Sequence, residues 1–330
     1  ELQMINHWHR LQIRWISRCR RLGTVVAIVL LGMTIQGCGT EPLGTWHMIN
    51  VNAGQLQGDA NLVTIGGTVV MIDAGYYTEA KSSVLPYFRN LGIQKIDHFF
   101  VSHPHKDHYE GLEALLEDGV HVRHLYLRVP PQHICDREIP WGCDMKSIER
   151  LVTIARQHGV EIHSPSAGFT LKLPNNSSME ILHAQLDDLP EAKIDVNDLS
   201  LIMKWSINST DVLFTGDLNK KVGALLSDDD RMQSDFMKMP HHGGTGLAPN
   251  SFFDRVDPRY VLVPGPKWFW CGDRGERPRK WVGENGLPVW VNGINGHVQV
   301  TFYKDKTVIV PEQISGECKI KAFGRIEWIH

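Results

Sequence analysis

The chain has 330 residues, of which 42% are hydrophobic and 22% are charged, and its formal net charge is −3 at pH 7. This length allows a large core in one or two domains, and the composition is that of an ordinary globular protein. A chain with a small negative charge is not a general binder of polyanions, so any contact with nucleic acid has to be local.

The first predicted element is an export signal. Four arginines between positions 14 and 21 precede an apolar run from Leu22 to Ile35 that is shorter than a membrane span, and Gly37 then precedes Cys38. This order is typical of a secretory signal, and the ending IQGC is similar to a bacterial lipoprotein signal, whose cysteine is lipidated. Lipidation of Cys38, simple cleavage and an uncleaved anchor are all open at this stage.

We predict residues 1–38 as the signal and residues 39–45 as a linker, which makes the rest of the chain periplasmic, bound to the outer membrane, or secreted. The only predicted membrane association is through the N-terminal lipid, and no protein partner is evident. Removal of the signal takes away five arginines and one glutamate, so the remainder carries about −7.

Strand-like and helix-like runs alternate from residue 46 onward. In the first half the predicted strands are WHMINV, NLVTI, TVVMIDAG and KIDHFFVS, with helices predicted around residues 79–91 and over YEGLEALLEDG. The second half continues with LSLIMKWS, DVLFTGD, a helix around residues 218–227, DFMKMP, YVLVP, PVWVN and HVQVTFY. TVVMID and DVLFTGD are both apolar strands that end at an aspartate. This similarity indicates that an αβ half of the chain is duplicated, with two sheets packed within one α/β domain.

Four cysteines lie beyond the signal. In an oxidising compartment this even number predicts disulfides with three possible connectivities. The short loop between Cys135 and Cys143 favours that pair, which leaves Cys271 for Cys318. Free or zinc-binding thiols are the alternative, although no CxxC motif supports them.

A dense group of metal-binding residues follows the predicted strand KIDHFFVS. His103, His105, Asp107 and His108 fall within six positions. Imidazole and carboxylate ligands suit zinc, manganese or iron. His103 and His105 are placed to share one ion, and Asp107 and His108 to hold a second, whereas the alternative is a solvated turn with incidental histidines.

The segment HPHKDH resembles the HxHxDH signature of the metallo-β-lactamase fold superfamily. The resemblance implies a four-layer αββα metallo-β-lactamase sandwich with two divalent metal ions, zinc first and manganese or iron as alternatives. It further implies that Asp73 supports the ligand loop, that Asp217 bridges the metals, and that His241 or His242 is the last histidine ligand. The sequence does not choose between these two histidines.

A closer resemblance is to the extracellular hydrolase domain of ComEC-type competence proteins. Five stretches of the chain follow that pattern in order: GQLQGDANLV, VLPYFRNLGIQKIDHFFVSHPHKDHYEGL, NDLSLIMKW, VLFTGDL and MPHHGG. We predict the hydrolase domain over residues 46–312 and a C-terminal extension over residues 313–330. The sequence departs from the pattern at Gly244, where the family usually has serine, and in lacking the later GHP segment and the multi-span channel.

Three further residues belong to the predicted site. His183 ends a strand at the place in the order where a further metal ligand occurs, although a histidine satisfied at a strand end is the alternative. Asn197 and Ser200 occupy the middle motif of ComEC-like domains, NDLS, and are predicted to support the site.

The resemblance implies an exported dinuclear hydrolase in which a hydroxide between the metals attacks a phosphodiester of nucleic acid or a nucleotide. Asp107 would ligate and orient the water or pass a proton, Asp217 would bridge, and His242 or His241 would offset charge on the oxygens. Hydrolysis of a lactone, β-lactam or other carbonyl compound on the same metals is an alternative, and a non-catalytic metal-binding scaffold is a second one.

One aromatic and basic stretch, PGPKWFWCGDRGERPRKW at residues 264–281, remains outside these motifs. Such a stretch can stack bases and bind phosphates. The alternative is a disulfide-tied surface loop that covers apolar surface.

Overall fold

A computed structural model describes residues 41–52, 54, 56–136, 143–184, 195–244, 246–314, 318 and 325–329. The predicted signal at residues 1–38, with Cys38, lies outside these residues. None of the helices in the described ranges combines the length and the apolar character needed to cross a membrane. Export and lipidation therefore stay predictions.

Strands account for sixteen segments of the described residues. In chain order they are β1 (Gly44–Met48), β2 (Ala60–Ile65), β3 (Thr68–Ala74), β4 (Lys95–Phe100), β5 (His121–Tyr126), β6 (Glu161–His163), β7 (Thr170–Leu173), β8 (Ser177–His183), β9 (Ile202–Ile207), β10 (Thr210–Phe214), β11 (Phe236–Lys238), β12 (Tyr260–Val263), β13 (Val289–Val291), β14 (Val298–Phe302), β15 (Lys306–Pro311) and β16 (Ile326–Ile329). The first sheet has the order β16-β15-β14-β1-β2-β3-β4-β5-β6, and the second sheet has the order β13-β12-β11-β10-β9-β8-β7.

The helices lie mainly between parallel strands. In chain order they are α1 (Tyr77–Glu79), which continues through a π-helical segment (Ala80–Val84) into α2 (Leu85–Leu91), then α3 (Lys106–Glu117), α4 (Gln132–Cys135), α5 (Met145–Gln157), α6 (Lys220–Leu226), α7 (Asn250–Val256), α8 (Lys267–Cys271), α9 (Glu276–Glu284) and α10 (Asn292–Asn295). Short 3-10 turns occupy Val196–Leu199, Asp230–Met232, Pro240–Gly243 and Asp273–Gly275.

Three buried apolar clusters define four layers. One cluster joins α3 and α5 to the outer face of the first sheet, a second lies between the two sheets, and a third joins the second sheet to α6, α7 and α9. Phe99 and Phe100 are neighbours in β4 but belong to the first and second of these clusters, because successive side chains of a strand point to opposite faces. This helix–sheet–sheet–helix order confirms the predicted αββα sandwich.

The two sheets share one pattern of strand directions. In the first sheet β2 and β3 are antiparallel and β3 to β6 are parallel; in the second, β9 and β10 are antiparallel and β10 to β13 are parallel. This agreement matches the repeat that TVVMID and DVLFTGD indicate. The carboxyl ends of the parallel strands in each sheet share one edge, which is where such sheets present ligands.

Some element boundaries differ from the sequence predictions. Helix α3 begins at Lys106 rather than within YEGLEALLEDG, so two predicted metal ligands lie in its first turn. Strand β9 begins at Ile202 because the preceding residues form a 3-10 turn with a capping box at Asp195. Strand β1 begins at Gly44, inside the predicted linker, and β16 lies inside the predicted C-terminal extension.

The cysteines pair as the loop lengths favoured. Cys135 is bonded to Cys143 and Cys271 to Cys318, with Cα–Cα separations of 4.8 and 5.7 Å that lie in the usual range. The second disulfide ties the chain after β15 to the end of α8.

We expect acid to destabilise this fold through His47 in β1. Its ring is buried, lies 2.9 Å from the Tyr87 hydroxyl, and has its pKa lowered to about 4 by burial and by the nearby His297. An unfolded histidine titrates near pH 6.5. Between pH 6.5 and 4 the unfolded chain therefore binds a proton that the folded chain does not bind, and stability is lost as the pH falls through this range. The contribution of this one group between pH 7.5 and 5 is about 2 kcal/mol.

Urea unfolding followed by tryptophan fluorescence at these two pH values measures the effect. His47→Gln is expected to show a smaller acid loss than the natural chain, whereas His121→Gln, at an exposed position of β5, leaves the loss unchanged. An equal acid loss in the natural chain and in His47→Gln would contradict this assignment.

Candidate metal centre

All the predicted ligands except His183 meet where the edges of the two sheets come together. Asp73 lies at the end of β3, and residues 103–108 follow β4. From the second sheet, Asp217 follows β10, and residues 241–242 follow β11. Parallel strands therefore deliver every one of these groups from their carboxyl ends.

His108 is oriented from behind by Asp73. Its Nδ1 lies 2.8 Å from Asp73 Oδ2, and the other oxygen of Asp73 accepts a hydrogen bond of 2.7 Å from the backbone N–H of Ser102. The opposite ring nitrogen, Nε2, lies 3.4 Å from Asp217 and 3.8 Å from Asp107. A carboxylate behind a histidine fixes its tautomer and turns the free nitrogen towards a metal.

His242 is held in the same way by a carbonyl. Its Nδ1 donates to the carbonyl of Pro264 at 2.9 Å, and its Nε2 lies 3.2 Å from Asp107 and 3.1 Å from Asp217. The side chain is fully buried. Pro264 follows β12, so a third strand end of the second sheet contributes to the centre.

Both histidines of MPHHGG face the centre. His241 Nε2 lies 4.0 Å from Asp217, and its Nδ1 lies 3.1 Å from Asn219 Oδ1. The two histidines have φ values of 48° and 53°, in the left-handed region that residues with a Cβ rarely adopt. This costly backbone shape presents two successive side chains to one point, and such strain is typical of functional sites.

His103 and His105 form a second pair of ring nitrogens beside the first group. His103 Nε2 lies 3.1 Å from His105 Nδ1, and the ring centroids of His103 and His108 are 4.1 Å apart. His103 is buried, while His105 is half-buried. Ser102 Oγ lies 3.1 Å from His103 Nδ1 and orients the ring from behind.

The structure does not bring His183 into this cluster. It ends β8 as predicted, but the charged groups that act on its pKa are Arg128, Arg231 and Asp229, and burial lowers that pKa to about 4. Of the supporting residues, Ser200 accepts a hydrogen bond of 3.0 Å from the backbone N–H of Asp217. Asn197 is buried beside the centre and lines its cavity.

The centre concentrates negative charge on side chains that are largely buried. Burial disfavours the charge on Asp107 and Asp217, yet the neighbouring histidines hold the pKa of both carboxyls below the usual range. Burial also opposes protonation of His108 and His242, but Asp217 and the other carboxylates raise the pKa of His242 to about 10 and that of His108 well above 6.5. Carboxylates so arranged require positive charge, from protons or from metal ions.

Unpaired buried atoms show that metal ions fit this centre. Within the described residues, His108 Nε2, His242 Nε2 and Asp217 Oδ1 are buried and make no hydrogen bond. Such atoms are costly unless a partner is bound. Ligand atoms of Asp107, His108, Asp217 and His242 all lie within 4.8 Å of one another, and His103 with His105 adds two more nitrogens, so the residues fit a pair of divalent ions.

A buried ion pair that the sequence motifs do not predict lies under the centre and joins the two sheets. The ammonium of Lys238, 1% exposed, pairs with the carboxylate of Asp59 and donates to the carbonyl of Gly216 at 2.8 Å. The backbone N–H of Asp59 donates to the carbonyl of Asp107 at 3.2 Å, and its carbonyl accepts from Gly75 at 2.8 Å. A lysine inside the apolar strand DFMKMP was the available signal, because a buried lysine needs a partner.

A cavity of about 630 Å³ opens onto the centre. Its lining combines residues of the centre with cationic, acidic and aromatic side chains, namely Leu56, Gln57, Tyr76, His105, Lys106, Asp107, Cys143, Asp144, Asn197, Asp217, His241, Trp268 and Arg274. This volume suits a ligand of the size of a nucleotide or a small organic molecule.

The aromatic and basic stretch 264–281 divides between core and cavity. Phe269, Trp270 and Trp281 are buried, as expected if the stretch covers apolar surface. Trp268 remains 48% exposed, and it lines the cavity together with Arg274. The stretch forms helices α8 and α9 rather than a loop.

The chain is similar in sequence to known proteins. The family model of the metallo-beta-lactamase superfamily matches residues 53–265. ComE operon protein 3 of Bacillus subtilis (strain 168) is 21% identical over 268 residues, which cover 77% of this chain and 32% of that protein. The chain thus spans about a third of the length of that curated relative.

Two solved structures superpose on this chain at low sequence identity. The metallo-beta-lactamase fold protein YhfI from Bacillus subtilis superposes with a TM-score of 0.49 at 13% identity, over 74% of this chain and 95% of that chain. A mutant of CmlA, a diiron beta-hydroxylase from Streptomyces venezuelae, superposes with a TM-score of 0.50 at 13% identity, over 80% of this chain and 55% of that chain.

We expect the metal content to separate the clustered histidines from His183. The full chain, loaded with zinc and dialysed against metal-free buffer, should retain two ions, and His242→Ala should weaken retention by at least about 100-fold because it removes a buried ligand. His183→Ala should retain both ions. Elemental analysis of the dialysed proteins measures the outcome, and loss of an ion from His183→Ala would return His183 to the ligand set.

We expect Lys238→Ala to lower the free energy of unfolding by about 3–5 kcal/mol, because it leaves the buried Asp59 carboxylate without the cation that offsets its charge. The double variant Asp59→Asn with Lys238→Met removes both charges and should lose less than Lys238→Ala alone. Urea unfolding measures both, with Arg89→Ala as the control, since Arg89 pairs with Asp118 in solvent and contributes about 0–1 kcal/mol. Equal losses for the buried and the exposed pair would contradict this role.

Proposed function

Because this chain belongs to the metallo-beta-lactamase superfamily, we propose that it is an exported metal-dependent hydrolase that cleaves phosphodiesters of nucleotides or nucleic acid. The family consists mostly of metal-dependent hydrolases, although some of its members differ. The observation that carries the phosphodiester assignment is the joint presence of a cation and an exposed aromatic ring in the cavity of the centre.

Arg274 supports recognition of an anion. Its guanidinium lies over the ring of Phe269, with 4.3 Å between the guanidinium carbon and the ring centroid, and this contact holds the side chain at the cavity. Lys106 also lines the cavity, but its ammonium lies 3.2 Å from Asp144 and 3.6 Å from Glu110, which offset its charge. Arg274 is the cationic contact that we assign to a phosphate group, because the planar guanidinium can donate two parallel hydrogen bonds to phosphate oxygens.

Trp268 supports recognition of a nucleobase or another flat ring. An indole that is half exposed at a cavity wall offers a stacking surface, and base stacking contributes about 1–3 kcal/mol. The net negative charge of the chain argues against long polyanions, because it disfavours their approach. Nucleotides and short oligonucleotides are thus the favoured substrate class.

We assign different roles to the residues of the centre. Two divalent ions held by His103, His105, Asp107, His108, Asp217 and the histidines of MPHHGG would lower the pKa of water and offset phosphate charge. Asp107 lies in the cavity wall, where its carboxylate can accept a hydrogen bond from a water molecule and orient it. His241 is fixed by Asn219 with Nε2 towards the centre, where the ring can contact a substrate oxygen.

We expect the zinc- or manganese-loaded full chain to hydrolyse bis(p-nitrophenyl) phosphate, and Asp107→Asn and Asp217→Asn to abolish turnover. Arg274→Ala should lower kcat/KM for this anion by about tenfold, since a hydrogen bond to a charged group contributes about 1.5–3 kcal/mol, and should leave hydrolysis of a neutral aryl ester unchanged. Release of p-nitrophenol followed by absorbance measures both.

Arg123→Ala is the matched control, because it removes one positive charge from an exposed position of β5. A chain that retains two metal ions yet cleaves only esters or lactones would contradict the phosphodiester assignment and favour a carbonyl substrate. A chain that retains the ions and cleaves neither class would favour the non-catalytic scaffold.

A further inference from the structure

A second group of histidines and a carboxylate lies within the strands of the first sheet, apart from the centre at the strand ends. In the parallel pairing of β4, β5 and β6, His98 lies opposite His124, and His124 lies opposite Glu161. His163 follows Glu161 by two residues and therefore shares its face of β6. Three adjacent strands thus bring four polar side chains to one place at the edge of the sheet.

The distances within this group suit one metal ion. His124 Nδ1 lies 3.1 Å from His163 Nε2 and 3.2 Å from Glu161 Oε2, and the last two atoms are 4.0 Å apart. Three atoms with these separations share a point about 2 Å from each, which is the length of a zinc–nitrogen or zinc–oxygen bond. Ligand atoms of these three residues all lie within 4.8 Å of one another.

Neighbouring rings hold the two histidines in position. The ring of His98 stacks on that of His124, with centroids 5.2 Å apart and 14° between the planes, and His98 Nδ1 lies 3.1 Å from the hydroxyl of Tyr126. The ring of Tyr126 stacks on that of His163 at 5.0 Å. Ligands that are oriented before an ion arrives lose less entropy on binding it.

We propose that His124, Glu161 and His163 form a peripheral site for one zinc-class divalent ion, separate from the catalytic centre. Their side chains are 17%, 63% and 43% exposed, so the ion reaches them from solvent and completes its coordination with water. Two imidazoles favour zinc, nickel or copper over magnesium or calcium, which prefer oxygen ligands. The bound ion cross-links the edge strand β6 to β5 and stabilises that edge.

A zinc titration of the full chain, with its disulfides intact and its centre already filled, tests this site. Zinc should bind as one additional equivalent, and magnesium should not. His124→Ala and His163→Ala should each weaken that equivalent by at least about tenfold, because each removes one of three ligands, while His121→Ala, at an exposed position on the same strand, leaves it unchanged. Calorimetry measures the stoichiometry and the affinity.

Two further measurements keep the result independent of folding and of the centre. Glu161→Gln keeps the size of the side chain but removes its charge, and it should also weaken the additional equivalent, whereas His242→Ala should keep it. Zinc should raise the thermal midpoint of the natural chain above that of Glu161→Gln. Additional zinc that binds equally well to the natural chain, His124→Ala and Glu161→Gln, or no additional zinc at all, would overturn the proposal.

Discussion

The buried ion pair between Lys238 and Asp59 is the contact on which the geometry of the centre depends. It connects β11 of the second sheet to the segment before β2 of the first sheet, with both side chains almost completely buried. The same two residues reach the carbonyls of Gly216 and Asp107 and the N–H of Gly75, so they connect the three segments of the chain that carry Asp217, Asp107 and Asp73. Desolvation offsets most of the attraction within such a buried pair, so its net contribution to stability is small although the loss of one partner is costly.

Above this pair the centre combines two costs that a bound cation would offset. Carboxylates of Asp107 and Asp217 are buried together, and His241 and His242 adopt backbone conformations that residues with a Cβ rarely populate. Both features are unfavourable for folding alone. Both are expected where ligands have to converge on metal ions, since coordination supplies the positive charge and the partners that the buried ring nitrogens lack.

The sequence predicted the candidate metal ligands more completely than the buried contacts that position them. The spacing of HPHKDH placed His103, His105, Asp107 and His108 at one strand end, and the αββα fold followed from the same resemblance. His183 was predicted as a ligand from its place in the order, and it does end a strand, but the charged groups that act on its pKa are Arg128, Arg231 and Asp229. The place of a residue at a strand end does not determine which groups its side chain meets, because that depends on the packing of the second sheet.

What the sequence alone determined is local: the alternation of strands and helices, the turn that carries four metal-binding residues, and the short loop that favours pairing of Cys135 with Cys143. Each depends on neighbours within a few positions, where period and loop length constrain the chain. Only the tertiary structure decided that both histidines of MPHHGG face Asp217, that Lys238 pairs with Asp59, and that Trp268 and Arg274 reach the cavity of the centre. These contacts join residues from different strands and sheets, and their distances are set by how the two sheets pack.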